Sequence, residues 1–157
     1  MKVLYFSYGA NADDRMIKAI IGRLPEGQPA YIKGYELCVQ KLKDIPKKPK
    51  EILRQEWDES FESYVVRRGK GKVYGTLWVI TSEEREMIRR WELIPEGWYH
   101  DTNFVAFLED GSKLRAVGEI IDNQPIDRVI EIKNYPKFLM KKDLICRIAN
   151  KVSRAQE

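Results

Sequence analysis

The first forty residues alternate between a strand pattern and a helix pattern. Val3 to Tyr8 is β-branched and aromatic, which favours a strand ending at Gly9, where the backbone can turn sharply. Apolar residues then recur with helical spacing as far as Gly22, namely Met16, Ile17, Ile20 and Ile21, and Asp13 and Asp14 suit the first turn of that helix. Tyr31 to Gln40 has the alternation of a half-buried strand. We therefore predict a strand, a tight loop, a helix and a second strand.

The middle of the chain mixes an irregular segment with a clear strand and helix. Residues 41 to 71 are rich in charge and proline but contain several aromatic and β-branched residues, so we expect a charged, partly ordered excursion. Val73 to Ile80 is a strongly apolar strand. Thr81-Ser82-Glu83-Glu84 has the form of a capping box, which opens a helix. That helix is expected to carry Met87, Ile88 and Trp91 inward.

Two more strands and a last helix complete the pattern. Phe104 to Leu108 and Leu114 to Ile121 read as strands, and the Asp-Gly step within residues 109 to 112 predicts an antiparallel hairpin. Pro136 suits the first turn of a final helix, where apolar residues fall on one side: Phe138, Leu139, Ile145, Ile148, Ala149 and Val152. The fold class we predict is α+β, with a barrel-like, mixed or antiparallel sheet flanked by helices.

Size and composition narrow the class of protein. The chain has 157 residues, of which 43% are hydrophobic and 33% charged, as expected for one globular domain spanning residues 1 to 157. No apolar run approaches membrane-spanning length, and the apolar part of the first residues is too short for a signal peptide. The two cysteines, Cys38 and Cys146, lie in apolar settings, so we expect core residues and no disulfide framework. A cytoplasmic location follows as the default.

The charge balance gives little support to nucleic-acid binding. Basic residues number 28 against 24 acidic ones, for a net charge of +4, and they cluster between Lys41 and Lys72. Aromatic residues are not regularly interleaved with them, as a base-stacking surface would require. A solvated basic loop is therefore favoured over an RNA or DNA contact, although phosphate binding that weakens steeply with salt would reverse this preference.

Glu92 is the first candidate for chemistry. On a continued helix it would share the apolar face of Met87 and Ile88, and burial of a carboxylate raises its pKa towards neutral pH. A carboxyl group in that state exchanges protons readily. The alternative is that the helix ends after Trp91, leaving Glu92 solvated or paired with a neighbouring arginine.

The second candidate is the loop Tyr8-Gly9-Ala10-Asn11, between the first strand and the first helix. Small residues let a ligand approach backbone N–H groups, and the start of a helix attracts a carboxylate or a developing oxyanion. The loop therefore suits an anionic substrate. The alternative is an ordinary tight connection in which Asn11 caps the helix.

Three ordered stretches resemble the gamma-glutamylcyclotransferase-like family. Tyr5 to Asn11 resembles the tyrosine-glycine-serine-asparagine loop of these proteins, and Lys72 to Trp78 is similar to the strand that leads into their catalytic helix. Glu92 precedes Tyr99 by the seven residues that separate the family's catalytic glutamate from a tyrosine. The resemblance covers roughly residues 1 to 40 and 72 to 110.

The resemblance implies a small mixed barrel and a specific reaction. Glu92 would be the general base and acid, while the substrate, a small gamma-glutamyl compound, would be held by Tyr8, Gly9, Ala10, Asn11, Ala12 and Tyr99. Its α-amine would attack its own γ-carbonyl and give 5-oxoproline with a free amine or amino acid. Such a reaction is intramolecular, and it needs no metal or cofactor.

The chain also departs from the family pattern. Ala10 replaces a common serine, Arg89 stands where aspartate is frequent, and Leu93 stands where glycine is common. Tyr135 lies near the place of a substrate-contacting tyrosine, although a role in the core or a cap is favoured. A non-catalytic small-molecule binder with the same fold is the alternative function.

Other residue types offer weaker candidates. His100 is the only histidine, which excludes multi-histidine metal sites and favours an exposed turn or strand edge. The four tryptophans, Trp57, Trp78, Trp91 and Trp98, are first candidates for the core and for a pocket wall.

Overall fold

The computed structural model describes residues 1–130, which form six strands and three α-helices. The strands are β1 (Lys2–Ser7), β2 (Glu26–Lys41), β3 (Glu62–Thr81), β4 (His100–Leu108), β5 (Lys113–Ile120) and β6 (Arg128–Ile130), and the helices are α1 (Asp14–Ile21), α2 (Lys47–Leu53) and α3 (Ser82–Trp91). Short 3-10 turns span Ala10–Ala12 and Leu42–Asp44. The final helix predicted from Pro136 onward lies outside the described residues, as do Tyr135 and Cys146.

The sheet closes into a small barrel. Its strands follow the order β3-β1-β5-β4-β2, and β2 pairs again with β3 to close the ring, while β6 adds to β2. The β1–β5 pair is parallel and the other pairs are antiparallel. Apolar side chains fill the interior, among them Phe6, Ile32, Leu77 and Phe104. The predicted α+β class, with a barrel-like sheet flanked by helices, is confirmed.

The segment predicted as a partly ordered excursion is instead regular along most of its length. Residues 41 to 71 contain α2 and the first half of β3, which pairs with β2 from Lys41 opposite Glu62 onward. The register shifts where Tyr35 faces both Arg68 and Gly71, which is a β-bulge. Consecutive charges and glycines near this bulge hide the strand pattern in the sequence. The backbone of this half of β3 forms its hydrogen bonds with β2, a separate part of the chain, so the local sequence does not predict them.

Both flanking helices near β1 begin as the sequence predicts. The Asp13 side chain accepts hydrogen bonds from the first turn of α1. Thr81 and Glu84 form the predicted capping box at the start of α3. Apolar faces of α1 and α3 pack against the outer face of the barrel, around Tyr5 and Trp78. These helices therefore cover one side of β1.

Several smaller predictions can be compared with the described residues. The 109–112 hairpin is confirmed, with Gly111 in the left-handed region. Cys38 is fully buried, and burial raises the pKa of its thiol to about 11. His100 is exposed at the first position of β4. None of the helices within residues 1–130 is both long enough and apolar enough to span a membrane.

The close contact between β1 and β3 depends on Gly75. A β-carbon at this position would lie 1.9 Å from the backbone oxygen of Ser7, so Gly75→Ala requires the two strands to separate. We expect a loss of more than about 3 kcal/mol in the free energy of unfolding, measured by urea denaturation. Gly111→Ala is the control, because its β-carbon meets no atom and only its φ of 86° is unfavourable, at about 1 to 2 kcal/mol. Equal losses in the two variants would contradict this account.

Candidate active site

The loop after β1 is held rigidly at one end of the barrel. Gly9 has a φ of 94°, and a β-carbon there would lie 3.1 Å from the β-carbon of Tyr64. The carbonyl oxygen of Asn11 accepts hydrogen bonds from the Trp78 indole at 2.9 Å and from the Ser7 hydroxyl at 3.0 Å. These contacts fix the position of Asn11, whose side chain is buried. Asn11 does not cap α1, because Asp13 does.

Glu92 lies at the C-terminal end of α3 and faces this loop. The helix ends at Trp91, as the alternative reading of the sequence proposed, and the Glu92 N–H still donates to the Ile88 oxygen at 2.9 Å. Glu92 is partly buried at the cavity, and within residues 1–130 no arginine forms an ion pair with it. It accepts a hydrogen bond from the Asn11 amide, with 2.5 Å between Nδ2 and Oε1.

The residue after Glu92 is in an unfavourable backbone conformation. Leu93 has a φ of 53°, in the left-handed region that costs a non-glycine residue about 1 to 2 kcal/mol. Its carbonyl oxygen accepts the Trp98 N–H at 3.1 Å, which closes the turn after α3. The glycine common here in the family would avoid this cost.

A chain of hydrogen bonds connects Glu92 with a buried ion pair. Asn11 Nδ2 also donates to the Tyr5 hydroxyl at 3.2 Å, and that hydroxyl donates to Glu119. Arg85 donates to the other Glu119 oxygen at 2.8 Å, and both of these side chains are buried. The hydrogen bonds therefore run from Arg85 through Glu119, the Tyr5 hydroxyl and the Asn11 amide to the Glu92 carboxylate.

The electrostatics of this chain leave Glu92 ready to exchange a proton. Burial raises its pKa to about 8, the negative charge of Glu119 adds to the shift, and the hydrogen bond from Asn11 and the charge of Arg85 oppose it. Burial also raises the pKa of Glu119, while Arg85 and the Tyr5 hydroxyl oppose that shift. A carboxyl group with a pKa near 8 is present in both protonation states around neutral pH.

These groups border a cavity of about 140 Å³, which is roughly the volume of five water molecules. Aromatic side chains form much of its wall, including Trp57, Trp91 and Trp98, as the sequence suggested for tryptophans. Trp78 belongs to the core beneath the loop. The cavity is large enough for a small amino-acid derivative.

The structure brings together most of the predicted site residues. The cavity is lined by Tyr8, Gly9, Ala10, Asn11, Glu92 and Tyr99. Ala12 does not line it, because its carbonyl oxygen instead accepts the Thr76 hydroxyl at 2.9 Å. The Tyr8 and Tyr99 hydroxyls donate to the backbone oxygens of Glu119 and Tyr64, at 2.6 and 2.9 Å. Both hydroxyls therefore already donate a hydrogen bond, and the two tyrosines line the cavity mainly with their rings.

Arg89 does not enter the cavity. Its guanidinium contacts Asp101 and Glu86 at 2.9 Å each. The residue that departs from the family pattern at this position therefore forms ion pairs outside the cavity.

Sequence reasoning missed Glu119, Arg85 and Tyr5. Glu119 is the single charged residue in the apolar run from Ala116 to Ile121, which was a usable signal for a buried carboxylate. Arg85 precedes Ile88 and Glu92 by three and seven residues, so helical spacing places all three on one face. Tyr5 has no such local signal, because an aromatic residue in an apolar strand is ordinary.

One polar atom at the cavity has no partner among the described residues, the side-chain oxygen of Asn11. A buried acceptor of this kind normally has a hydrogen-bond partner, so this oxygen suits an N–H donor of a ligand. The N–H groups of Ala10 and Asn11 open the 3-10 turn, so they have no partner within that turn. The cavity lining thus includes this acceptor and the two residues that carry these N–H groups. Within residues 1–130, no three histidine, cysteine, aspartate or glutamate side chains are grouped to hold a metal ion.

Comparison with known proteins identifies the fold. No protein-family model and no curated protein sequence matches the chain. A solved structure described as gamma-glutamyl cyclotransferase matches with a TM-score of 0.67 at 15% identity, over 98% of this chain and 80% of that one. An uncharacterized protein from Homo sapiens matches with 0.64 at 15% identity, over 80% and 69%. A protein from Arabidopsis thaliana matches with 0.56 at 16% identity, over 99% and 93%. The chain has the gamma-glutamylcyclotransferase-like fold that its motifs resemble.

The raised pKa of Glu92 predicts a pH-dependent stability. The folded protein keeps this proton up to about pH 8, whereas the unfolded chain releases it near the ordinary value of 4.5. The stability contribution of the group is therefore fully present below about pH 4.5 and is lost as pH rises to about 8. Since Gln has no proton to lose, Glu92→Gln should gain stability relative to the native protein across this window and no further above it.

This prediction is checked by urea unfolding of both proteins at several pH values between about 5 and 9. Glu83→Gln, at an exposed position on the same helix, is the matched control and should give a nearly constant difference. If the Glu92→Gln difference were equally independent of pH, the carboxyl group would not be perturbed.

Proposed function

We propose that this chain is a single-domain gamma-glutamylcyclotransferase that converts a small gamma-glutamyl amide or dipeptide into 5-oxoproline. The observation that carries the proposal is the Glu92 carboxyl group, with a pKa of about 8, held by Asn11 beside the loop and the cavity. The similarity to a gamma-glutamyl cyclotransferase structure supports it. The free, buried thiol of Cys38 fits our further proposal of a cytoplasmic location, where thiols stay reduced.

The substrate's α-ammonium group is the natural partner of the polar groups at the cavity. The unpartnered Asn11 oxygen can accept one of its N–H groups, while the ionised Glu92 carboxylate accepts another. An amino group and a carboxyl group with similar pKa values exchange a proton at little cost. Glu92 acts as the general base in this step and leaves a neutral amine.

The amine nitrogen then attacks the γ-carbonyl carbon of the same molecule and forms a five-membered ring. The developing oxyanion is stabilised by backbone N–H groups of the loop, those of Ala10 and Asn11. After the attack the ring nitrogen carries a surplus proton, so Glu92 first releases the earlier proton to solvent and then takes this second one. Collapse of the intermediate breaks the original C–N bond, and Glu92 gives the second proton to the departing nitrogen. The products are 5-oxoproline and an amine or amino acid. Because the two reacting groups belong to one molecule, positioning supplies much of the rate.

The test is release of 5-oxoproline from a panel of gamma-glutamyl amides and dipeptides, comparing the native protein with Glu92→Gln. We expect activity in the native protein and a fall of at least about 100-fold in kcat for Glu92→Gln, because a general acid and base is lost. The control is Glu83→Gln, which should stay within about twofold of native. With both proteins folded, absence of 5-oxoproline from every compound would favour a ligand-binding protein without this chemistry.

The pKa of Glu92 also predicts the pH profile of the reaction. For an active substrate, kcat/KM should rise with pH as the free enzyme's carboxyl group loses its proton, with a midpoint near 8. It should fall again where the free substrate's ammonium group loses its proton. Initial rates across the pH range measure this profile, and a flat profile between about pH 6 and 9 would exclude a carboxyl base with this pKa.

A further inference from the structure

The outer side of the barrel carries three half-buried aromatic rings in one row. Tyr31 on β2 pairs in register with Tyr74 on β3 and with Phe107 on β4. Their neighbours along each strand include side chains of the barrel interior, so the three rings point outward. The rings of Tyr31 and Phe107 are stacked, with 5.2 Å between centroids and 12° between planes, and the centroid of Tyr74 lies 5.7 Å from that of Tyr31. We call the surface formed by Tyr31, Tyr74 and Phe107 the outer aromatic face.

Three exposed lysines lie over these rings. The Nζ atom of Lys33 lies 4.6 Å from the ring centroid of Phe107, and that of Lys113 lies 5.6 Å from the same centroid. The Nζ atom of Lys72 lies 5.0 Å from the ring centroid of Tyr31. A cation is attracted to the face of an aromatic ring, and the apolar stem of a lysine packs against it. The outer aromatic face therefore carries positive charge directly over its rings.

Two of these lysines are arranged at a cost to the fold. Lys33 on β2 is the register partner of Lys72 on β3, and like charges directly opposite each other destabilise a sheet. An anionic group bound close to both lysines relieves this repulsion. The sequence from residue 131 to residue 157 has seven basic and three acidic side chains, so the net charge of that segment has the same sign as the lysines. The outer aromatic face is therefore complementary to a polyanion.

The rings and the lysines together decide which polyanion fits this face. A single-stranded nucleic acid uses both, because its bases stack on aromatic rings while its phosphates bind basic side chains. In a common RNA-binding domain, aromatic residues on a four-stranded sheet stack two or three bases in this way. The lysines can make room for a base, since a flexible stem lets each ammonium group move from the ring to a phosphate. A polyanion without bases would use the lysines alone.

We propose that the outer aromatic face binds single-stranded nucleic acid. This inference does not depend on the proposed function, because Tyr31, Tyr74 and Phe107 do not line the cavity beside Glu92. It also differs from the basic loop considered in the sequence. Aromatic and basic residues are interleaved here across neighbouring strands, which a search along the chain does not detect.

The first test is fluorescence anisotropy of a labelled, mixed-sequence RNA strand of about 12 nucleotides, titrated with the full chain at about 50 mM salt. We expect the strand to bind at least about fivefold more tightly than its own duplex, whose bases are already stacked on one another. Lysines acting alone would prefer the duplex, which has the higher charge density. Inorganic polyphosphate with the same number of phosphates should compete at least about fivefold less well than the unlabelled strand.

Variants then separate the role of the rings from that of the lysines. Tyr31→Leu keeps an apolar side chain but removes the ring, and it should raise the dissociation constant at least about fivefold, whereas Tyr31→Phe should stay within about twofold of native. The double variant Lys33→Gln with Lys72→Gln should weaken binding by a similar factor and reduce the slope of its salt dependence by about 1. The matched control is Lys47→Gln with Lys48→Gln, which removes the same charge from exposed positions at the start of α2. It should stay within about twofold of native.

Urea unfolding of each variant shows that the comparison is made between folded proteins. If Tyr31→Leu does not fold, Phe107→Leu repeats the test on the neighbouring ring. The proposal is overturned if the strand does not bind at about 50 mM salt, or if the duplex or polyphosphate binds as tightly as the strand. It is also overturned if the ring variant binds like the native protein, or if the two lysine pairs give equal losses, because binding would then depend on net charge alone.

Discussion

The buried ion pair between Arg85 and Glu119 is the constraint on which the site depends. A carboxylate inside a protein must be paired and hydrogen-bonded, because its transfer from water is costly. Glu119 meets this requirement through Arg85 on α3 and the Tyr5 hydroxyl on β1. The pair thereby ties α3, which directly precedes Glu92, to the strand that leads into the loop. Asn11 then joins the two, since its amide donates both to Tyr5 and to Glu92.

The same pair influences the chemistry as well as the geometry. The negative charge of Glu119 raises the pKa of Glu92, and the positive charge of Arg85 opposes the shift. In a buried carboxylate without charged neighbours, only the loss of water would shift the pKa. The arrangement therefore holds Glu92 near the pKa useful to a base at neutral pH, at some cost in stability. Such costs are common at catalytic sites, where function and maximum stability differ.

The least regular part of the sequence contributes to the wall of the cavity. Residues 41 to 71 lie between the two stretches that carry the family resemblance, yet they supply α2, Trp57 and Phe61 to the cavity wall. Side chains from this segment therefore line the cavity beside those of the loop and those at the end of α3.

The sequence by itself determined the features that depend on neighbouring residues. The capping box at Thr81, the hairpin turn at Gly111 and the sharp turn at Gly9 each rest on a few adjacent side chains or on a glycine conformation. Helical spacing also pointed to the acidic residue at the end of α3, and the family resemblance gave the loop that faces it. The sequence predicted residues 41 to 71 less well. The first half of β3 lies in this segment, and its hydrogen bonds are made with β2, so they leave no local pattern.

Only the tertiary structure decided which charges are buried together. The parallel pairing of Tyr5 with Val117 brings Glu119 beside the Tyr5 hydroxyl, across 114 positions in the chain. No local rule connects such distant residues, since their contact follows from the closure of the barrel. The perturbed pKa of Glu92 follows from the same closure. The sequence therefore named Glu92 as the candidate carboxyl group, and the fold supplied the buried charges and the cavity beside it.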